Sequence, residues 1–320
     1  MSSLLVELLD SPDIKKRIQH VFNELCTNRN VDAKKIAMTS AFLCIQNIRT
    51  DAALISEIAG NGIYDSSLRA NNSFCEFFKF EHDKIKAKST VFCQSLIRNF
   101  FEAEYTINFL LGIAKSFDLK QHRSREYKEI FRSALKFSSI ERLLPDKDKI
   151  LNIEKYYEQL KKKVAWLVHD PHFWVQYAMA KIAVPDFEKA QQLLDNAYGK
   201  AKAKGDGYNT SNIDTQQARL YFLKAMKVDS TMSSFQLFHK AHELLRKTPN
   251  DIYKFRQLHL YNDYFRLKYD LLDETSKKRF IYSCKEISHI IKNDFPQGAP
   301  QSYKALGEID RIIDSIKILG

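Results

Sequence analysis

Nine glycines and seven prolines in 320 residues leave little material for tight turns. Sandwiches, barrels and nucleotide-binding α/β folds draw on those residues at every reversal of the chain, so their scarcity points to helices. The nearest approach to a phosphate-cradling loop, Gly60-Asn61-Gly62, lacks the Lys-Ser/Thr that would complete a Walker motif. A self-sufficient nucleotide hydrolase or dehydrogenase is therefore not expected. The length suits two domains at about 150 residues each. With 44% hydrophobic and 28% charged residues, the chain has the ordinary make-up of a protein with a buried core.

The net charge of +11 leans toward the C-terminal third, but the basic runs stop at three, as in Lys15-Lys16-Arg17, Lys161-Lys162-Lys163 and Lys277-Lys278-Arg279. Runs that short read as solvated helix faces, and a phosphate-rich partner is permitted without being implied. Cys26, Cys44, Cys75, Cys93 and Cys284 form no C-x-x-C pair, and four of them lie among apolar neighbours. They read as small buried hydrophobes of a cytoplasmic protein. The opening Ser2-Ser3-Leu4-Leu5-Val6-Glu7 has no basic leader, and no stretch approaches the ~20 apolar residues of a membrane span.

The fold expected is mainly all-α. Ser11-Pro12-Asp13 caps a first helix with Ile14, Ile18, Val21, Phe22 and Leu25 at helical spacing. Asp32 caps a second, and Asp51 a third that ends at Gly60. After Gly62, Asn71-Asn72-Ser73 reads as a turn and Phe74–Phe80, rich in aromatics, as an edge strand. Three helices and a ribbon suggest a winged-helix-like domain over residues 1–101. Its third helix, around Asp51–Ala59, carries Asp51 and Glu57 and no Lys or Arg, which suits packing better than a DNA groove.

Helices follow from Ile85 to Phe101, Glu102 to Phe117, around Tyr127–Leu135, and from Asp148 to Val168. Asp170-Pro171 then caps a helix bearing Trp174, Tyr177 and Ala178, followed by Ala190, Leu194 and Ala197. That spacing fits the tetratricopeptide pattern, in which small residues let two antiparallel helices approach closely. Trp174 is expected to be a buried wedge, although Lys181 stands where an aromatic is common. A looser second unit has Ala218 and Tyr221, then Leu237, Ala241, Leu244 and Pro249, across an insertion at Asp229–Ser234. Segments Asp251–Tyr269, Ser276–Lys292 and Ser302–Leu319 complete a repeat-like array over residues 102–320. Such an array offers a surface for binding and has no chemistry of its own.

The run Asp170-Pro171-His172-Phe173-Trp174-Val175-Gln176-Tyr177-Ala178 resembles a phrase in the C-terminal part of bacterial STAND (NACHT-like) NTPases of antiphage defence, where Asn and Leu replace Asp170 and Val175. Asp186–Ala190, Leu194–Tyr198, Tyr208–Asp214 and Gln217-Ala218-Arg219 are similar as well, as are the upstream Phe131–Ile140 and Glu154–Leu160, so the likeness runs over roughly residues 4–227. It implies a sensor and regulatory region that holds an ATPase inactive until a trigger binds. The ATPase module itself is not in this sequence.

Several constellations have plainer explanations. His169 and His172 flank a helix cap and lack a third ligand. His239 and His242 flank a packed face, and Asp186-Phe187-Glu188-Lys189 begins a helix where a metal nuclease would need a β-hairpin. Gly205 ends a helix, and Asp214 with Arg219 reads as an ion pair. No catalytic, cofactor or metal residue is therefore assigned. The expected function is a non-enzymatic sensor region that binds a phage-derived trigger or a partner protein, with an ATPase or effector module in cis or in trans. The alternative is a stand-alone nucleic-acid-binding regulator acting through a basic C-terminal surface.

Overall fold

Apolar residues at helical spacing set the helices of the molecule, and many of these open on a side-chain cap. The computed structural model describes residues 9, 11–27, 32–60, 66–293 and 300–319, so the sequence features at residues 2–7 and at Gly62 lie outside it. The chain divides into two compact units, Met1–Ala165 and Trp166–Gly320. Apart from one two-stranded ribbon, the regular structure of the described residues is helical. None of these helices is long and apolar enough to cross a membrane.

The first unit contains α1 (Pro12–Thr27), α2 (Ala33–Ile45), α3 (Ala52–Ala59), α4 (Ser66–Arg69), α5 (Asn72–Phe77), β1 (Phe78–Glu81), β2 (Lys84–Ala87) and α6 (Thr90–Phe100). It continues through α7 (Ala103–Asp118), α8 (Arg125–Leu135), α9 (Phe137–Leu143) and α10 (Lys149–Lys163). Helix α2 is buried without a break from Ile36 to Leu43, the pattern of a central helix. Asp32 caps its start by accepting from Lys35 N at 3.0 Å, and Gly60 ends α3 in the left-handed region at φ +76°.

The ribbon begins later than the sequence suggests. Asn71 is a helix cap accepting from Phe74 N, and residues 74–77 complete α5, so the strand covers only the last part of Phe74–Phe80. Ile85–Ala87, expected at the start of a helix, forms the partner strand, and α6 opens at the Ser89 cap. A bridge from Asp51 to Lys84 adds the residues before α3 to the ribbon. Helices α7–α10 belong to this first unit, beyond the position 101 at which the sequence reading divides the chain. The physical ties are local. Arg49 grips Glu126 with two bonds of 3.0 and 2.7 Å, and Glu57 accepts from Lys120 at 2.7 Å and Tyr127 at 2.8 Å. The Glu57 carboxylate of α3 is thus occupied by Lys120, in the turn after α7, and by Tyr127 of α8.

A 3-10 turn (Ala165–His169) spans the division, and the second unit continues with two helical hairpins, α11 (Pro171–Ala183) with α12 (Phe187–Ala203) and α13 (Ser211–Lys227) with α14 (Thr231–Lys247). Then come α15 (Ile252–Phe255), α16 (His259–Lys268), a second 3-10 turn (Tyr269–Leu271), α17 (Glu274–Asn293) and α18 (Pro300–Leu319). The supposed insertion at Asp229–Ser234 is a short link, and Ser234 is buried inside α14, donating to Ala225 O at 2.8 Å. Two lysines neutralise helix C-termini: Lys268 donates to Val228 O at the end of α13, and the fully buried Lys254 to Thr248 O at the end of α14.

Phe238 of α14 sits at the centre of this unit. Its ring meets Phe222 at 5.6 Å, Tyr261 at 5.4 Å, Tyr264 at 4.7 Å and Phe280 at 5.0 Å between centroids, so one side chain joins α13, α16 and α17. Trp174 does not play the comparable part expected of it in the first hairpin. It is half-buried and donates from Nε1 to Val168 O at 2.9 Å, while its neighbours Phe173 and Tyr177 are buried. Other residues of the repeat signature behave differently, with Ala178, Ala190, Leu194 and Ala197 each fully enclosed. Phe238→Ala should cost about 3–5 kcal/mol through lost burial and a residual cavity. Urea unfolding of both variants should show Trp174→Ala to be the milder change.

Candidate binding groove on the helical hairpins

A repeat of four on three neighbouring helices lines up polar side chains beside the packed stripes. On α12 the buried residues are Ala190, Leu193, Leu194, Ala197 and Ala201, which leaves Gln191, Asp195 and Tyr198 along one flank. Gln217 and Tyr221 stand on α13, and His239, Lys240, Glu243, Leu244 and Lys247 on α14. Together these residues line an open groove of about 400 Å³.

The floor of the groove is fixed by hydrogen bonds. Gln191 Nε2 donates to Gln217 Oε1 at 2.9 Å, and Gln217 Nε2 returns a bond to Gln191 Oε1 at 2.8 Å. The second N–H of Gln191 goes to Asp195 at 2.8 Å. Tyr198 donates to Asp214 at 2.6 Å, and Thr210 fills the other oxygen of that carboxylate at 2.8 Å. Burial and the bond to Asp214 raise the Tyr198 phenol well above its ordinary range, so it remains a donor. Asp214, which the sequence suggested as a partner for Arg219, accepts from Tyr198 and Thr210. Tyr221 and Leu244 supply apolar surface, and Asp195, Glu243, Lys240 and Lys247 add charges of both signs to the lining. Reciprocally bonded amides hold one geometry, which suits recognition.

Behind the groove lies a buried relay. His242, 1% exposed, meets Tyr261 Oη through Nδ1 at 2.8 Å and Glu286 Oε2 through Nε2 at 2.9 Å. A carboxylate can only accept, so Nε2 carries the proton and Nδ1 accepts from the tyrosine. Arg246 closes the chain by donating to Glu286 at 2.9 Å and to Glu243 at 3.0 Å. His242 thus lies inside the packed face that the sequence reading placed it beside, while His239 is exposed at the groove.

Burial lowers the pKa of His242 despite Glu286 and Glu243 nearby, and His239 adds to the lowering. Burial of Glu286 works against its ionised form, but the bonds from His242 and Arg246 prevail and keep its pKa low. Both groups resist protons that the unfolded chain accepts. Stability is full above His242's ordinary value of 6.5, is lost as pH falls below it, and is lost further below 4.5 with Glu286. Denaturation midpoints of the wild type should therefore drop between pH 7 and pH 5, and His242→Gln should flatten that slope.

The other singled-out residues lie elsewhere. His169 and His172 are both exposed, with Asp170 capping α11 by accepting from His172 N at 3.1 Å. Asp186 caps α12, accepting from Lys189 N at 3.2 Å, and takes the buried Lys181 ammonium at 3.5 Å. Gly205 has φ +100° just past α12. Among the described residues no group of three or more His, Cys, Asp or Glu could hold a metal ion. The groove amides were missed because Gln carries no chemical motif; the only signal was polar residues at spacings of three and four beside an apolar stripe. The chain matches no family model, no curated protein and no solved structure.

Proposed function

We propose that the second unit is a recognition scaffold that binds a partner polypeptide in the groove of α12, α13 and α14. The reciprocal Gln191–Gln217 pair carries this reading. It presents a floor ordered before any partner arrives, so little conformational freedom is lost on binding. A lining that combines Tyr221 and Leu244 with charges of both signs suits a peptide chain with apolar and charged side chains. The hairpins α11–α12 and α13–α14 are then tetratricopeptide-like units, stacked on the enclosed Ala178, Ala190 and Ala197, and residues 1–101 a winged-helix-like module.

Joined to the resemblance in Asp170–Ala178, this gives the non-enzymatic sensor region of a STAND-type defence ATPase. The trigger would bind in the groove and favour the active arrangement over the resting one. Affinity capture from phage-infected and uninfected bacterial cells tests it, with wild type beside Lys240→Glu/Lys247→Glu. A protein retained by wild type from infected cells should fall at least tenfold with the double variant. Equal retention by both would remove the groove from the reading, and salt-sensitive nucleic acid in its place would support the regulator alternative.

A further inference from the structure

Helix α17 turns Phe280, Cys284, Ile287 and Ile291 into the second unit. Cys284 and Cys93 are the cysteines buried as the sequence suggested, while Cys26 and Cys75 are exposed and Cys44 partly so. The outward side of α17 is of one kind. Between Lys278 and Lys292 its exposed residues are Lys278, Arg279, Tyr282, Lys285, His289 and Lys292, and none of them is acidic or aliphatic. Steps of seven residues place Lys278, Lys285 and Lys292 two turns apart, over about 21 Å of helix, with Tyr282 and His289 on the same side. The run Lys277-Lys278-Arg279, read in the sequence as a solvated face, is the start of this stripe. Acidic neighbours reach only part of it. Glu286, the one carboxylate of that span, bonds His242 and Arg246. Asp310 of α18 takes Lys292 at 3.0 Å and accepts from Ser288 at 2.8 Å, and Asp314 lines the cleft beside Lys285. Among the described residues, Lys278, Arg279 and Lys285 have no ion-pair partner.

We propose that this face of α17 binds single-stranded nucleic acid, with phosphates on Lys278, Arg279 and Lys285 and a base stacked on Tyr282. Three uncompensated cations in little more than two helical turns form a local positive field, and phosphates are the ligands that release counterions on meeting one. Lys278 and Lys285 stand about 10.5 Å apart along the axis, about three of the ~3.4 Å steps of a stacked strand. Tyr282, 68% exposed, lies between them, where an unpaired base can cover its ring. A duplex keeps its bases stacked within itself and would leave that ring unused. An anionic membrane would need apolar side chains to insert, and a polypeptide partner an apolar centre to the contact. The stripe exposes no aliphatic residue, so neither suits it as well. This surface is separate from the groove of α12–α14 and stands or falls without it.

Fluorescence anisotropy of the full-length protein with labelled thymidine and uridine oligonucleotides tests this. Binding should weaken about 20-fold between ~50 and ~200 mM salt, as three phosphate contacts to a single strand require. Lys278→Gln/Lys285→Gln should lower affinity at least tenfold and flatten that salt dependence. Tyr282→Ala should weaken binding about tenfold and leave the salt dependence as it is, because stacking releases no counterions. All three side chains are exposed, so these variants keep the fold. Lys162→Gln/Lys163→Gln, an equal loss of charge from exposed residues of α10, should bind as the wild type does. Absence of oligonucleotide binding would overturn the proposal, as would equal weakening by the two double variants. Polyglutamate bound as tightly as the oligonucleotides, with Tyr282→Ala without effect on either, would make the face a general polyanion surface and overturn it too.

Discussion

The second unit depends on the close packing of Phe238. One ring touches aromatic partners on α13, α16 and α17, and those contacts fix where each helix can lie. Tyrosines in that cluster bring hydroxyls into a dry interior, and each finds a partner. Tyr261 bonds His242, and Tyr264 lies 3.2 Å from Ser234. The buried histidine is therefore a consequence of the aromatic packing, since Tyr261 needs an acceptor there. The relay from His242 through Glu286 to Arg246 carries that need to the surface. The groove stands on the other side of α14, so the helix bearing Phe238 also sets the wall that a partner would meet.

The first unit is organised by α2. A helix buried on all sides must be surrounded, and α1, α3, α6 and β2 are its neighbours. Charged pairs then tie later residues to this group, Arg49 with Glu126 and Glu57 with Lys120. A residue such as Glu57, read alone as an acidic obstacle to nucleic acid, has its physical explanation in those partners.

What could be read from the residues divides along a physical line. Caps and apolar periodicity act locally, so the starts of α1, α2, α3, α11 and α12 and the hairpin rhythm were legible. The ribbon was misplaced because aromatic residues at 74–78 satisfy helix and strand patterns alike, and the Asn71 cap settles the choice toward helix. Trp174, expected from the repeat spacing to be a buried wedge, is half-buried, because its indole N–H needs an acceptor and finds one in Val168 O. The boundary at 165 and the groove both arise from contacts between residues far apart in sequence, such as Gln191 with Gln217, and spacing within a single helix carries no signal of them.

The central claim is that the groove of α12–α14 is where a partner polypeptide sits. Photo-crosslinking side chains placed one at a time at Tyr221 and Lys247, with a control at Tyr282, test it directly. Tyr282 is 68% exposed and lies outside the groove. The account predicts that both groove positions link to the same polypeptide and that the control does not. Linkage from Tyr282 alone, or equally from all three positions, would contradict it.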